Sequence, residues 1–544
     1  MDKKIVLQLG EDGLPLDDVS HYAATPEHLR SYEQAADELY RFKVPQLLDH
    51  ADPHSYLIVG LMDGTGNDAD KDPVHATNVA KFREQIRSLK DAGIKRIDFE
   101  YIKGPGTQDE VLARTVDSAT GRTSLARANE MYERLRTQSQ EIFQTDPQAK
   151  IAFHLEGFSR GASQVPLLAR MIDERGIPDP EGGIRGIGED GLPLYNRYHQ
   201  PPGLTPMSVG LYDPVPTGYM ELFDRRLPPS VVSGFQLSAA HERRGLFPVD
   251  LILPQGVSGG GRFLHLTVAG AHSDLAGTYL RGGVGVRSLN LMTDYHNGLL
   301  SEPLLPRMHE PTDARMNVIH RSEEGNVLFR NTPKMDRATS AGQVHQLTAD
   351  YARYAQPGEV VQLPSHMPEP LHSAFAPMAQ TARPLQRSVH VADAALTEGD
   401  ALTARLLRTP GVELRPYPPP DARPPRRQGR RCAGRSRHAL RSDAIRRENR
   451  RVPLARQPAG RTLGAGAFCR PQCRRLGRRH GGGVRAGRLR RWPDGADRRR
   501  CVLHEQGRRE GGRPARQPRH LPADRPPGCA VGVQRHRVVA RGNG

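Results

Sequence analysis

Cysteine is absent from this 544-residue chain until Cys432, and all five cysteines, with the only tryptophan, Trp492, lie in its last quarter. Disulfides are therefore excluded from whatever folds before that point. Long hydrophobic runs are missing as well: no segment approaches the roughly 18 apolar residues that a membrane-crossing helix needs. The opening MDKKIVLQLG has lysines ahead of an apolar stretch too short for a signal-peptide core, and no small-residue cleavage site follows. Synthesis in the cytoplasm without a signal peptide is the expectation, with export by a signal-independent machine left open. Lysine, too, is lacking after Lys334.

That last absence divides the chain. From Asp421 onward there are 35 Arg, no Lys and 8 Asp or Glu, a local charge of 35 − 8 = +27 against +17 for the whole, so the preceding body carries 17 − 27 = −10. The basic balance belongs to the tail alone. Runs such as Arg498-Arg-Arg500 and Gly481-Gly-Gly483 have no hydrophobic periodicity. Three readings compete: a phosphate-binding arm, disorder, and translation out of frame from a GC-rich gene. Arginine without lysine favours the third, because a selected basic arm normally mixes both. Cys469 and Cys473 have no second ligand pair, so a zinc site there is not expected.

What is present in the body is an alternation of strand and helix. A helix is expected from about His28 to Phe42, ended by Pro45. Ser55–Leu61 is an apolar run of strand length, followed by the turn-forming Asp63-Gly-Thr-Gly-Asn67. Val74–Ala92 has helical spacing, Ile97–Ile102 alternates as a strand, and Thr123–Phe143 is helical. Lys150–Leu155 is a strand and Ala162–Arg175 a helix. Later strands are expected at Met207–Tyr212, Val249–Leu253 and Phe263–Val268. Such alternation predicts a mostly parallel sheet covered on both faces. Beyond His272 the pattern fades, with one helix expected near Ala341–Tyr354. Ser258-Gly-Gly-Gly261 and Gly282-Gly-Val-Gly285 lack the Lys-Ser/Thr of a phosphate loop and read as flexible loops.

The residues suited to chemistry sit at strand ends. Gly157-Phe-Ser-Arg-Gly161 is a G-x-S-x-G pentapeptide directly after a strand and before a helix. A serine exposed on so tight a turn needs small flanking residues, and the following helix aims its positive end at it. Ser159 is the candidate nucleophile, with the Arg160 amide as an oxyanion donor. The order Ser, acid, His then points to Asp213, after the strand Ser208–Tyr212, and to His272, after Phe263–Val268 and a small-residue bend. Asp213 reads equally as a turn aspartate, and His154, His241 and His265 compete with His272. Asp63, Gly64 and Thr65 close the first strand, where glycine amides can supply a second oxyanion donor or simply make a tight turn. The fold expected is α/β-hydrolase-like: a polar, partly helical segment over 1–50, a catalytic domain over 51–290, an irregular accessory or cap region over 291–416, and the disordered or aberrant tail over 417–544.

Four separated blocks carry a resemblance to the bacterial α/β-hydrolase family that includes phospholipase effectors of type VI secretion (lipase effector family one). They are Leu61-Met-Asp-Gly-Thr-Gly-Asn67 with Thr77-Asn-Val79; Gly157-Phe-Ser-Arg-Gly-Ala162; Val209-Gly-Leu-Tyr-Asp-Pro-Val215; and Gly270-Ala-His-Ser-Asp-Leu-Ala-Gly277 with Tyr279. The resemblance covers about residues 55–290. It implies Ser159 as nucleophile, Asp213 as acid, His272 as base, and Asp63 and Asp274 as site-shaping residues. Ala276 stands where the family usually has glycine, and Pro214 where it usually has threonine. The implied activity is hydrolysis of carboxylic esters, of glycerophospholipids in a phospholipase A-type reaction, with no metal or organic cofactor. The implied setting is the phospholipid membrane surface of a target cell, reached by a contact-dependent system that delivers the protein to the periplasm, with secretion-apparatus and immunity-protein partners and no nucleic acid. The alternatives are a soluble carboxylesterase or thioesterase, and a non-enzymatic protein gripping nucleic acid or membrane through its basic tail.

Overall fold

The computed structural model describes residues 4–105, 122–188, 193–216, 223–325, 327–331, 334, 337 and 367–417. All of them fall in the first of the chain's two units, Met1–Arg431. The Arg-rich tail and the helix expected at 341–354 lie outside the described residues.

The centre is a seven-stranded sheet. Its strands are β1 (Ser55–Met62), β2 (Ile97–Ile102), β3 (Lys150–Phe158), β4 (Met207–Tyr212), β5 (Val231–Ala239), β6 (Gly256–Val257) and β7 (Phe263–Val268). They lie in the order β6-β7-β5-β4-β3-β1-β2. Every pairing is parallel except β6 with β7 at one edge. β1, β3 and β7, buried on both faces, read largely as apolar runs, as parallel strands do.

Helices α1 (Pro26–Arg41), α2 (Asn78–Asp91), α3 (Arg122–Thr145) and α4 (Arg160–Arg175) cover the two faces. On one face Tyr32 and Leu39 of α1 and Val79, Phe82 and Ile86 of α2 share a core with Leu57, Val59 and Leu61 of β1. On the other, Ala128, Met131 and Leu135 of α3 and Val165, Leu168 and Ile172 of α4 pack on Ile151, Phe153 and Leu155 of β3. The fold is thus the expected doubly covered parallel sheet, and the boundaries of β2, β4 and β7 are those the alternation predicts.

Three local expectations are corrected. β5 was not foreseen, because Ser233, Gly234, Gln236 and Ser238 interrupt its apolar run. Val249–Leu253, expected as a strand, is irregular. Its Ile252 and Leu253 are still core residues, but the Gln236 side chain takes the place of a sheet neighbour, donating to Asp250 O at 3.0 Å and accepting from Leu253 N at 3.1 Å. Gly282–Gly285, expected as a flexible loop, opens helix α6 (Gly283–Gly298), which follows the single-turn helix α5 (His272–Leu275). A Cβ at Gly285 would lie 2.7 Å from both Asp274 O and Gly277 Cα, so glycine here serves close packing of α6 on α5.

Segments from both ends of the unit fasten onto this centre. Ile5–Gln8 pairs in parallel with Val412–Arg415, and His21–Ala23 pairs antiparallel with Val318–His320. Lys43–Val44 pairs antiparallel with Arg383–Pro384. No helix among the described residues is long and apolar enough to cross a membrane.

Candidate functional site

The register of the parallel strands lines up their carboxyl ends, with Met62 opposite Gly157 and Tyr212 opposite Phe158. The residues that follow β1, β3, β4 and β7 therefore meet along one edge, where ligands of open α/β sheets bind.

Ser159 follows β3 and caps α4 with φ 58° and ψ −125°, a conformation that non-glycine residues rarely adopt. The glycines around it are compulsory. A Cβ at Gly157 would lie 2.6 Å from Ala162 N, and one at Gly161 would run into Met62 O. Backbone bonds from Ser159 N to Tyr212 O (3.0 Å) and from Val215 N to Ser159 O (3.2 Å) stitch the turn to the end of β4.

A continuous line of hydrogen bonds leads from the serine. His272 Nε2 is 2.9 Å from Ser159 Oγ, and His272 Nδ1 is 2.6 Å from Asp213 Oδ2. Asp213 itself has φ 38°, held by its own N–H to Leu237 O at 2.7 Å and by Ala239 N, which donates to Oδ1 at 2.9 Å. All three side chains are buried. Burial alone would raise the Asp213 carboxyl, but the Arg337 guanidinium, His272 and the Ala239 amide outweigh it and hold the group at about 2. Burial lowers His272, with the Asp213 carboxylate opposing that shift. A hydroxyl, an imidazole and a carboxylate in this line can pass the hydroxyl proton to the imidazole while the carboxylate fixes its tautomer.

The competing histidines stand elsewhere. His154 bonds Ser208, His265 bonds Ser238 and Leu253 O, and His241 accepts from Gly270 N.

The Asp63 loop lies beside the serine turn, and Arg160 Nε donates to Thr65 Oγ1 across the join. Asp63 is buried, and its carboxylate gathers Gly64 N (2.7 Å), Tyr101 OH (2.7 Å) and Thr77 Oγ1 (3.0 Å). Burial pushes its carboxyl up to about 6 despite those donors. The Gly64 amide is thus turned toward Asp63, and this carboxylate organises the loop and the start of α2 together.

Asp274 works from the next layer. Its Oδ2 accepts from Ala271 N at 2.9 Å, just ahead of His272. Oδ1 meets His320 Nδ1 at 2.6 Å, and His320 Nε2 meets Asp17 at 3.0 Å. Burial opposes protonation of His320, yet Asp274 and Asp17 together raise it to about 9.

Several residues at this site were not singled out from sequence. Arg337 Nη1 donates to both oxygens of Asp213, at 2.8 and 3.0 Å. Glu242, buried and paired with Arg244 at 2.8 Å, accepts from His272 N at 3.2 Å. Phe158 and Phe247 flank the imidazole, with ring centroids 4.5 and 5.0 Å away, and Arg244 lies over Phe247 and Phe329. Only Glu242-Arg243-Arg244 left a trace, as a charged segment after His241.

Residues 57–201 match the family model described as "T6SS, Phospholipase effector Tle1-like, catalytic domain". Among solved structures, that of the Tle1 effector bound to the VgrG spike of the type 6 secretion system is 21% identical, covering 43% of this chain and 52% of that one at a TM-score of 0.25. The chain thus spans about half the length of that effector. The NocB thioesterase domain of the nocardicin cluster is 13% identical, covering 44% of this chain and 92% of that one at a TM-score of 0.21. RedJ with a bound PEG molecule is also 13% identical, covering 46% and 96% at 0.21. No curated protein matches. Residues 57–201 are thus similar to the catalytic domain of the Tle1-like phospholipase effectors of type VI secretion, and that stretch holds the sequence blocks around Asp63 and Ser159.

Proposed function

We propose that this chain is a serine lipolytic hydrolase that cleaves the acyl esters of glycerophospholipids in a phospholipase A-type reaction. The observation that carries the reading is the Ser159–His272–Asp213 line on a serine held at φ 58°. Ser159 Oγ attacks the ester carbonyl while His272 Nε2 takes its proton, and Asp213 steadies the imidazolium. The tetrahedral oxyanion is met by the Arg160 amide at the start of α4 and by the Thr65 amide. In the Asp63–Thr65 loop the Asp63 and Gly64 amides are already bonded to Ile102 O and to the Asp63 carboxylate. Collapse expels the alcohol, which takes the proton from His272, and water then releases the fatty acid by the reverse sequence. Phe158 and Phe247 pack on the His272 ring, and Phe329 packs on Phe247, so the surroundings of the imidazole are aromatic. The family match supports a phospholipid substrate, a type VI secretion apparatus as carrier, and the target-cell membrane as the place of action.

The test is fatty-acid release from phospholipid vesicles by the full chain, beside Ser159→Ala. Release by the parent and loss in the variant is the expected result. Equal release by both removes Ser159 from the chemistry. Hydrolysis of short soluble esters in preference to vesicles would replace the phospholipase by a carboxylesterase.

A further inference from the structure

Beneath the serine turn lies a second cluster of chemically active side chains that the proposed reaction does not use. His154 and Glu156 are two apart on β3 and so share one face of the sheet. His296, on α6, meets them from above. All three are buried, at 0, 0 and 2% exposure, and one donor atom from each falls within 4.8 Å of the others. Glu156 Oε2 is 2.6 Å from His296 Nε2 and 3.4 Å from His154 Nε2.

Three features set this cluster apart from an ordinary buried hydrogen-bond network. First, both imidazoles converge on one carboxylate oxygen, while Glu156 Oε1 and the Tyr212 OH, which feels the Glu156 charge, have no partner among the described residues. Buried polar atoms are nearly always satisfied, so these two leave capacity for a further partner. Second, among the described residues no lysine or arginine pairs with Glu156, whose ion-pair partners are the two histidines alone. The charged partners of these three side chains are thus one another. Third, the surroundings orient the donors toward one another. Ser208 Oγ bonds His154 Nδ1 at 2.8 Å, and Phe82 stacks on His296 at 3.7 Å. Gly210 roofs the cluster, and a Cβ there would lie 2.9 Å from Glu156 Oε2 and 3.2 Å from His154 Nε2.

We propose that His154 Nε2, His296 Nε2 and the Glu156 carboxylate bind a divalent transition-metal ion, zinc by preference, as a structural site tying β3 to α6. Two imidazoles and a carboxylate are a donor set that zinc favours. Tetrahedral zinc with bonds of about 2.0–2.1 Å puts neighbouring donors roughly 3.3 Å apart. The 3.4 Å separation of His154 from Glu156 already meets that spacing, and small side-chain rotations bring His296 to it. The bond from His154 Nδ1 to Ser208 is the outer contact that orients a metal-bound imidazole. Tyr212 or a water takes the fourth position. The ion stands apart from the ester chemistry; it fixes the strand whose end carries Ser159.

The test is the metal content of the full chain, purified without chelator from zinc-supplied cells, with X-ray absorption at the zinc edge. About one equivalent of zinc in a nitrogen–oxygen shell is expected. Glu156→Gln and His296→Gln should each retain less than about a tenth of it, while Ser159→Ala keeps it all. Returning zinc to chelator-stripped protein should raise the Tm of the parent and not of these two variants. Metal-free parent protein whose Tm zinc leaves unchanged overturns the proposal. So does a sulfur shell, which would assign the zinc to the cysteines after Cys432, or undiminished zinc in His296→Gln. The absorption spectrum of the parent decides the matter even if a variant fails to fold, and none of these readouts depends on esterase activity.

Discussion

Replacing His320 by glutamine removes the one cation between two buried carboxylates, Asp17 and Asp274, whose side chains are 1 and 0% exposed. Asp274 in turn holds the backbone just ahead of His272, so the substitution touches stability and site together. The magnitude follows from the imidazolium, which is raised from 6.5 to about 9 in the folded protein. At about 1.4 kcal/mol per pH unit, that shift contributes about 3 kcal/mol. Because the folded value lies above the unfolded one, the contribution is fully present below pH 6.5 and is lost as pH rises through about 9. Glutamine keeps a hydrogen bond but not the charge, and stranding buried carboxylates costs about 3–5 kcal/mol. Urea unfolding followed by far-ultraviolet circular dichroism, at pH 6, 7.5 and 9.5, measures both effects. The parent should lose about 3 kcal/mol across that range. His320→Gln should begin lower by a similar amount and vary much less with pH. A variant with the parental midpoint and the parental pH slope would refute the reasoning.

Asp213→Asn should lower kcat for ester hydrolysis about 10⁴-fold with little change in KM, as a wrongly held tautomer does; unchanged turnover would remove Asp213 from the triad. Arg337→Met takes a cation from beside the Asp213 carboxylate, now held at about 2. The carboxylate then supports the His272 imidazolium more strongly, so the acid limb of kcat/KM should move to higher pH, and an unmoved limb contradicts the pairing. Gly161→Ala drives a Cβ into Met62 O and to 2.7 Å from Asp63 O. It should cost about 1–3 kcal/mol of stability and reduce kcat by parting the Asp63 loop from the serine turn, which thermal unfolding and vesicle hydrolysis both report.

Much of the central sheet was legible because its strands are buried on both sides and therefore continuously apolar, as in SYLIVGL and FLHLTV. β5 escaped because polar side chains on it face other polar side chains: Ser233 meets Tyr295 OH at 3.0 Å, and Gln236 serves the 250–253 segment. Residues 249–253 misled for the complementary reason, since burial rewards apolar side chains whether or not the backbone is a strand. The glycines of 282–285 suggested flexibility where they permit two helices to touch.

The sequence by itself determined the parallel α/β grammar, the strained turn at Ser159, and the strand ends that carry Asp213 and His272. These are local properties, set by periodicity, glycine placement and chain order within a few residues. Only the tertiary structure decided what those groups face. Arg337 reaches Asp213 across 124 residues, His320 is clamped between Asp17 and Asp274, and His296 is brought onto Glu156 across 140 residues. Pairings of that kind leave no period in the chain. They arise because a charge removed from water must find its partner wherever folding places one.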